Sequence, residues 1–224
     1  MKNLIYITLI SLLFTSCLSS KKYLPIVNQE AMPEIVKSAN QDWLIINADN
    51  FEPSENKCKK GKSLLVPLIF YWFVQSSIEC EIGSKITSSY IKNSIYKAAD
   101  SLSLRKKLPD GKLIINLRQI PSKFLYLAKG HLIFLGYTME FGSERISPTR
   151  IRLIADFELL SGTETKTKGQ VIITNTEKPL KRKWGQTTQT FTRKYLSEYR
   201  KEIDKMGKEL IEEIMTKGNL QRIP

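Results

Sequence analysis

The chain reads as an α+β protein: a mostly antiparallel sheet with two amphipathic helices packed on one face. Three observations predict it. Across residues 150–160, Ile151, Leu153, Ala155, Phe157 and Leu159 fall on one side, while Arg150, Arg152, Asp156 and Glu158 fall on the other. That period of two is the signature of a half-buried strand. From Thr188 to Lys217, Phe191, Tyr195, Tyr199, Ile203, Met206, Leu210 and Ile214 recur three or four residues apart. They form one apolar stripe along a long helix, widened by Leu196 and Ile211. The links between the later apolar stretches are short, which favours antiparallel pairing, because a parallel return needs a crossover of a dozen or more residues.

In chain order, residues 23–42 contain Pro25 and Pro33 and predict little beyond a short helix over Glu34–Ala39. Trp43–Asn47 predicts a first strand. Phe51–Ser63 predicts a loop around Cys58, with Pro53, Gly61 and several charges. The run Leu64–Val74 is the most apolar stretch downstream of Cys17. It is too short to span a bilayer, which takes about 20 residues. Its aromatic and β-branched content predicts a strand covered on both faces, with Pro67 near its start or at an edge. A greasy ligand wall or a membrane-dipping segment is the alternative. Gln75–Ile82 continues as a strand, with Ile78, Cys80 and Ile82 opposite Glu79 and Glu81.

A helix is expected from Thr87 to Leu104, with Ile91, Ile95, Ala98 and Leu102 forming its buried stripe. Pro109-Asp110-Gly111 predicts a turn. Leu113, Ile115 and Leu117 then alternate with Ile114, Asn116 and Arg118 as a strand, broken at Pro121. Phe124–Ala128 and His131–Phe141 predict strands interrupted at Gly130 and Gly136. Gly142–Thr149, with Pro148, predicts a turn region. The strand over 150–160 is followed by a polar turn at Ser161–Lys168 and a return strand, Gln170–Thr176. Pro179–Gly185 is a basic link into the last helix, which Gly218-Asn219 closes.

The formal net charge is +13. Such an excess favours anionic partners: lipid headgroups, lipopolysaccharide, acidic polymers or nucleic acid. Lys181, Arg182, Lys183 and Trp184, with Arg193 and Lys194 after them, form the best binding candidate. Trp184 would sit at a headgroup boundary while the cations meet phosphates. The plainer reading is a solvated connector with Trp184 packed as a helix staple.

Catalytic sets are not evident. Ser89/Lys92 and Ser94/Lys97 match Ser-x-x-Lys, which in penicillin-binding proteins puts an amine beside a nucleophilic hydroxyl, but no Ser-Asp-Asn or Lys-Thr-Gly follows. His131 is the only histidine, and no Gly-x-Ser-x-Gly accompanies it. Glu79/Glu81 and Asp156/Glu158 lie at same-face strand spacing, as solvated strand faces require. No catalytic residue, metal site or cofactor is expected.

The chain opens with Met1-Lys2-Asn3, then the apolar run Leu4–Phe14, then Thr15-Ser16-Cys17. A charged start, a short apolar run and small residues before a cut site describe a secretory signal. The ending resembles the lipobox of bacterial lipoproteins, with Phe14 standing where Leu is usual. The resemblance implies a signal peptide over 1–16, cleavage before Cys17 and a lipid on that cysteine. A lipidated tether over 17–42 and a single α+β domain over 43–224 would follow. Residue 18 is Leu, not the Asp of inner-membrane retention, which implies the periplasmic face of an outer membrane in a Gram-negative cell. Lys21 and Lys22 would touch anionic headgroups, for about 1 kcal/mol each. That compartment argues against nucleic acid. It is oxidising, so Cys58 and Cys80 either pair as a disulfide or remain as two thiols, one in a loop and one in a strand. The element order is similar to that of LptE-like and ABC-transporter auxiliary lipoproteins. This implies a non-enzymatic accessory role in envelope transport or assembly, through a protein partner or an anionic lipid. An envelope hydrolase with an unrecognised site and a purely structural anchor are the alternatives.

Overall fold

The computed structural model describes residues 20–35, 42–48, 51–134, 138–149, 152–162, 164–174 and 178–220. The expected signal peptide and Cys17 lie outside these residues, as do Gly136, Arg150 and Ile151. The elements in order are α1 (Ser20–Glu30), β1 (Leu44–Asn47), β2 (Lys57–Pro67), β3 (Tyr71–Glu81), α2 (Ser84–Ser101), α3 (Leu104–Lys107), β4 (Gly111–Gln119), β5 (Lys123–Phe134), β6 (Thr138–Pro148), β7 (Arg152–Ser161), β8 (Glu164–Thr174), β9 (Leu180–Lys181) and α4 (Thr188–Lys217). The α+β class forms as expected, but the strands divide into two sheets rather than one. Sheet 1 has the order β1-β4-β7-β8 and sheet 2 the order β2-β3-β5-β6-β9. Every pairing is antiparallel except β1 with β4.

The alternation in β7 fixes the register of sheet 1. Leu153, Ala155, Phe157 and Leu159 are all buried. Their partners follow the same face: Leu113 lies opposite Leu159, Ile115 opposite Phe157 and Leu117 opposite Ala155. Leu44 and Ile46 of β1 and Val171 and Ile173 of β8 complete that face. The apolar stripe of α4 is buried from Phe191 to Met215, and α2 packs beside it. Each fully buried side chain of this size contributes about 1.5–3 kcal/mol. The two helices meet at a small-residue contact, where a Cβ on Gly207 would lie 2.0 Å from Ser94 Oγ. The Ser94 hydroxyl instead donates to the Ile203 carbonyl at 2.9 Å. At the start of α4 the Thr187 hydroxyl accepts from the Thr190 amide at 3.1 Å, a side-chain cap on an otherwise open donor.

Several segments depart from the sequence expectation, each for a tertiary reason. Ser20–Glu30 was expected in the tether, yet it forms a helix that includes Pro25 and buries Tyr23 and Val27. Pro25 removes one helical hydrogen bond. Packing of Tyr23 on Tyr126, with ring centroids 4.4 Å apart, and the ion pair of Glu30 with Arg193 hold the helix in place. The domain's core therefore begins well before residue 43, with Tyr23, Val27 and Ala31 part of it. Glu34 and Ile35 are not helical, and the rest of that expected helix lies outside the described residues.

The loop expected over Phe51–Ser63 becomes strand from Lys57, where Cys58 is bonded to Cys80 in register on β3. The apolar run Leu64–Val74 is not one buried strand. It folds back at Leu68–Phe70, where paired backbone bonds join Leu68 and Tyr71. Gly130 and Gly142 do not end their strands, because they face each other in register and the β5–β6 ladder runs through them to Pro148. The turn expected over Gly142–Thr149 is strand for that reason. The turn after β7 is also tighter than expected. Gly162 takes φ +63, a left-handed conformation open to glycine, and β8 starts at Glu164.

Candidate functional site

Sheet 2 extends beyond the helices that cover it. Near its base, Ile78, Cys80, Phe124, Tyr126 and Ile146 share one face and are buried. α1 covers Tyr126 through Tyr23. The start of α4 covers Phe124 through Tyr195, with ring centroids 5.0 Å apart. The Tyr126 and Thr192 hydroxyls share a buried hydrogen bond of 2.6 Å. Burial holds the Tyr126 phenol well above its ordinary pKa.

The alternation of β3 and β5 carries the same face outward. Ser76, Val74 and Trp72 continue from Ile78, in register with Ala128, Gly130 and Leu132. These residues, with Leu65 on β2, floor an open groove of about 830 Å³. Gly130 and Gly142 face each other across its middle, and a Cβ on Gly130 would meet nothing within 4 Å. The absence of side chains there is what gives the groove its depth.

The rim is cationic and aromatic. Lys60, Arg182, Lys183 and Trp184 line it, with Glu144 as its carboxylate. Arg182 is committed to structure. Its Nη1 meets Glu144 at 2.7 Å and its Nε donates to the Gln186 carbonyl at 2.7 Å. The Lys183 amide donates to Gln186 Oε1, and Gly185 takes φ +78. This tight turn after β9 pushes Trp184 fully into solvent. Trp184 is therefore not a packed staple.

Beyond the groove, the β2–β3 hairpin projects with apolar side chains in water. Leu64 and Leu65 are about half exposed, Ile69 is 86% exposed and Phe70 65%. The stem behind this tip carries exposed Lys57, Lys59, Lys60 and Lys62. On the other face of the sheet, His131 shares a hydrogen bond with the Tyr71 hydroxyl and packs against Phe73. Its place is in the aromatic packing of that face.

The sequence-predicted basic cluster divides. Arg182, Lys183 and Trp184 reach the groove. Lys181 sits on β9, paired through its backbone with Arg145. Arg193 is held by Glu30 on α1, and Lys194 is exposed on α4 away from the groove lining. The Ser-x-x-Lys hydroxyls serve the backbone: Ser89 donates to Ile86 O, and Ser94 is buried against Ile203 O. Sequence reasoning did not single out Trp72, Ala128 and Leu132 as a groove floor. The signal that pointed there was the apolar run Leu64–Val74, for which a greasy ligand wall is the alternative to a buried strand.

No protein-family model matches the chain, and no curated protein or solved structure is significantly similar to it. Among the described residues no group of three or more His, Cys, Asp or Glu is placed to hold a metal ion. No described helix is long and apolar enough to cross a membrane. A second, smaller hollow of about 340 Å³ lies by Ser54, Ser84 and Glu81. Its polar groups bond one another: Ser54 with Ser84, and Glu81 with Ser122 and Lys123.

Proposed function

We propose that the protein is a lipid-anchored, non-catalytic accessory protein of the cell envelope, which holds an anionic lipid by its acyl portion in the sheet 2 groove during envelope transport or assembly. The observation that carries this reading is the uncovered half of sheet 2, an apolar floor under a cationic rim. An acyl chain suits a floor of Leu65, Trp72, Val74 and Leu132, since ligand sites are mostly apolar with a few polar groups that fix orientation. A phosphate or carboxylate headgroup suits Lys60 and Lys183. The net charge of +13 favours the same sign of ligand.

The direction of α1 supports the anchoring half of the reading. Asn28 bonds Asn56 just before β2, whereas Tyr23 packs on Tyr126, level with Lys60 further along β2. The N-terminal end of α1 thus points along the sheet toward the groove and hairpin. Cys17 precedes Ser20 by three residues, about 11 Å at full extension. A lipid on Cys17 would hold the groove end toward the membrane.

Native mass spectrometry of the full chain, purified from its envelope in mild detergent, tests the reading. The expected result is a bound anionic lipid at one per chain, lost on Leu132→Glu. Recovery of a folded chain without lipid, and without uptake of added phosphatidylglycerol, overturns it.

A further inference from the structure

The groove leaves the hairpin beyond it unexplained. Leu64, Leu65, Val66, Leu68, Ile69 and Phe70 are all exposed on one projection, and fully exposed Trp184 stands at the adjoining rim. The other exposed large apolar residues among the described ones are Met32, Ile35 and Ile172. Two-residue hairpin tips normally carry Asn-Gly or Asp-Gly. Here the tip is Ile69-Phe70, closed by the Leu68 amide on the Tyr71 carbonyl at 2.8 Å. Turn chemistry does not account for a tip of this kind, and neither does packing, because both side chains face water.

We infer that this tip is a wedge that enters the interfacial layer of an anionic lipid membrane. The occupant is fixed by charge placement. Lys60 and Lys62 form a collar on β2 behind the apolar stretch from Leu64 to Phe70, whereas Lys59 further back is paired with Glu79 at 3.2 Å; this is the order that membrane-dipping segments need, acyl-facing side chains first and phosphate-facing cations next. Trp184, with Lys183 beside it, repeats the arrangement on the rim; tryptophan is enriched at that boundary. A protein partner of complementary shape would need acidic groups against the collar and is the weaker match to a turn with apolar side chains on all sides.

The same structure limits the depth. β2 is an edge strand of sheet 2, so its outer backbone groups have no strand partner. Open sheet edges are not tolerated within hydrocarbon. Leu68, Ile69 and Phe70 therefore enter, while the ladder from Leu64 to Val66 stays among headgroups, with the collar outermost.

Depth-resolved fluorescence tests this with the full chain. Phe70→Trp adds an emitter at the tip, read as the difference from the parent chain on phosphatidylglycerol vesicles containing brominated lipids, with flotation confirming that the protein is bound. Insertion to about 5–10 Å should quench roughly half or more of the added emission. Bromines near the head of the acyl chain should quench more than those near its end. Lys60→Glu combined with Lys62→Glu should reduce that quenching. Ile69→Trp gives the same readout if the first variant fails to fold. Added emission that remains unquenched on floated vesicles overturns the wedge, whether the tip then faces water or protein. Groove occupancy by mass spectrometry is a separate readout and does not depend on this result.

Discussion

Glu30 on α1 accepts two hydrogen bonds from the Arg193 guanidinium on α4, at 2.8 and 2.9 Å. The Glu30 side chain is almost covered, whereas that of Arg193 is largely exposed. This pair explains why Arg193, a binding candidate by sequence, has a structural task. Arg193 holds the Glu30 carboxyl below its ordinary pKa of 4.5, against the opposing effect of burial. A depressed carboxylate pKa stabilises the fold above the ordinary value, and that contribution is lost as pH falls through the folded value. Hydrogen exchange should therefore show residues 20–31 losing protection ahead of the rest of the domain below about pH 4.5. Arg193→Ala should show the same selective loss at pH 7. Uniform loss across the domain would mean that the pair does not pin α1.

The α2–α4 contact predicts a second effect. A Cβ on Gly207 would meet Ser94 Oγ at 2.0 Å and Ser94 Cβ at 2.9 Å. The helices must then move apart along a stripe that includes Ile91, Ile95, Ile203 and Leu210. Gly207→Ala should destabilise by about 1–3 kcal/mol despite alanine's better helix propensity. Ser94→Gly in that background should restore part of the loss. Urea unfolding measures both, and a neutral Gly207→Ala would show that the crossing has slack.

The elements legible in the sequence were those whose pattern is set by one buried face. β7 alternates because α4 covers one side of it, and α4 carries a continuous stripe because it lies along the core. The division into two sheets was not legible, since strand pairing depends on contacts far apart in the chain. α1 was hidden by Pro25 and by a short stripe of Tyr23 and Val27, which makes sense only once Tyr126 lies beneath it. The run Leu64–Val74 misled most. A buried strand and a solvent-exposed hairpin tip can share an apolar composition, and propensity does not distinguish them. In the basic cluster, charge was visible but its use was not: Arg182 and Arg193 spend their guanidinium groups on Glu144 and Glu30.

Cys58 and Cys80 face each other in the β2–β3 ladder and are bonded, closing a separation of 22 residues. That loop contains the whole apolar hairpin. A closure of this length stabilises by roughly 3 kcal/mol in the chain-entropy picture. The double variant Cys58→Ser with Cys80→Ser should lose about 2–4 kcal/mol in urea unfolding. Its exchange protection should fall first in β2, which pairs with a strand on one side alone. If intact mass in denaturant shows two free thiols on the native chain, the bond is absent and no such loss follows.

The groove can be closed without disturbing what lies beneath it. Gly130 lies in the β5 ladder opposite Gly142, on the face that continues Tyr126 and Ala128. A Cβ on Gly130 meets nothing within 4 Å, and one on Gly142 approaches only the Lys129 carbonyl, at 3.9 Å. Neither glycine has the left-handed backbone found at Gly162 and Gly185. A larger residue is therefore compatible with the backbone at both positions, and strand propensity favours it over glycine. Gly130→Phe should leave the thermal midpoint unchanged or raise it, because the ring enters open space above the floor between Ala128 and Leu132. The same ring would fill volume that a bound acyl chain needs. Lipid affinity should fall at least about tenfold, equivalent to 1.4 kcal/mol, while fold and net charge stay constant. Gly142→Leu should act in the same direction. A stable Gly130→Phe chain that retains lipid at the parent level would place the acyl chain away from the middle of this groove.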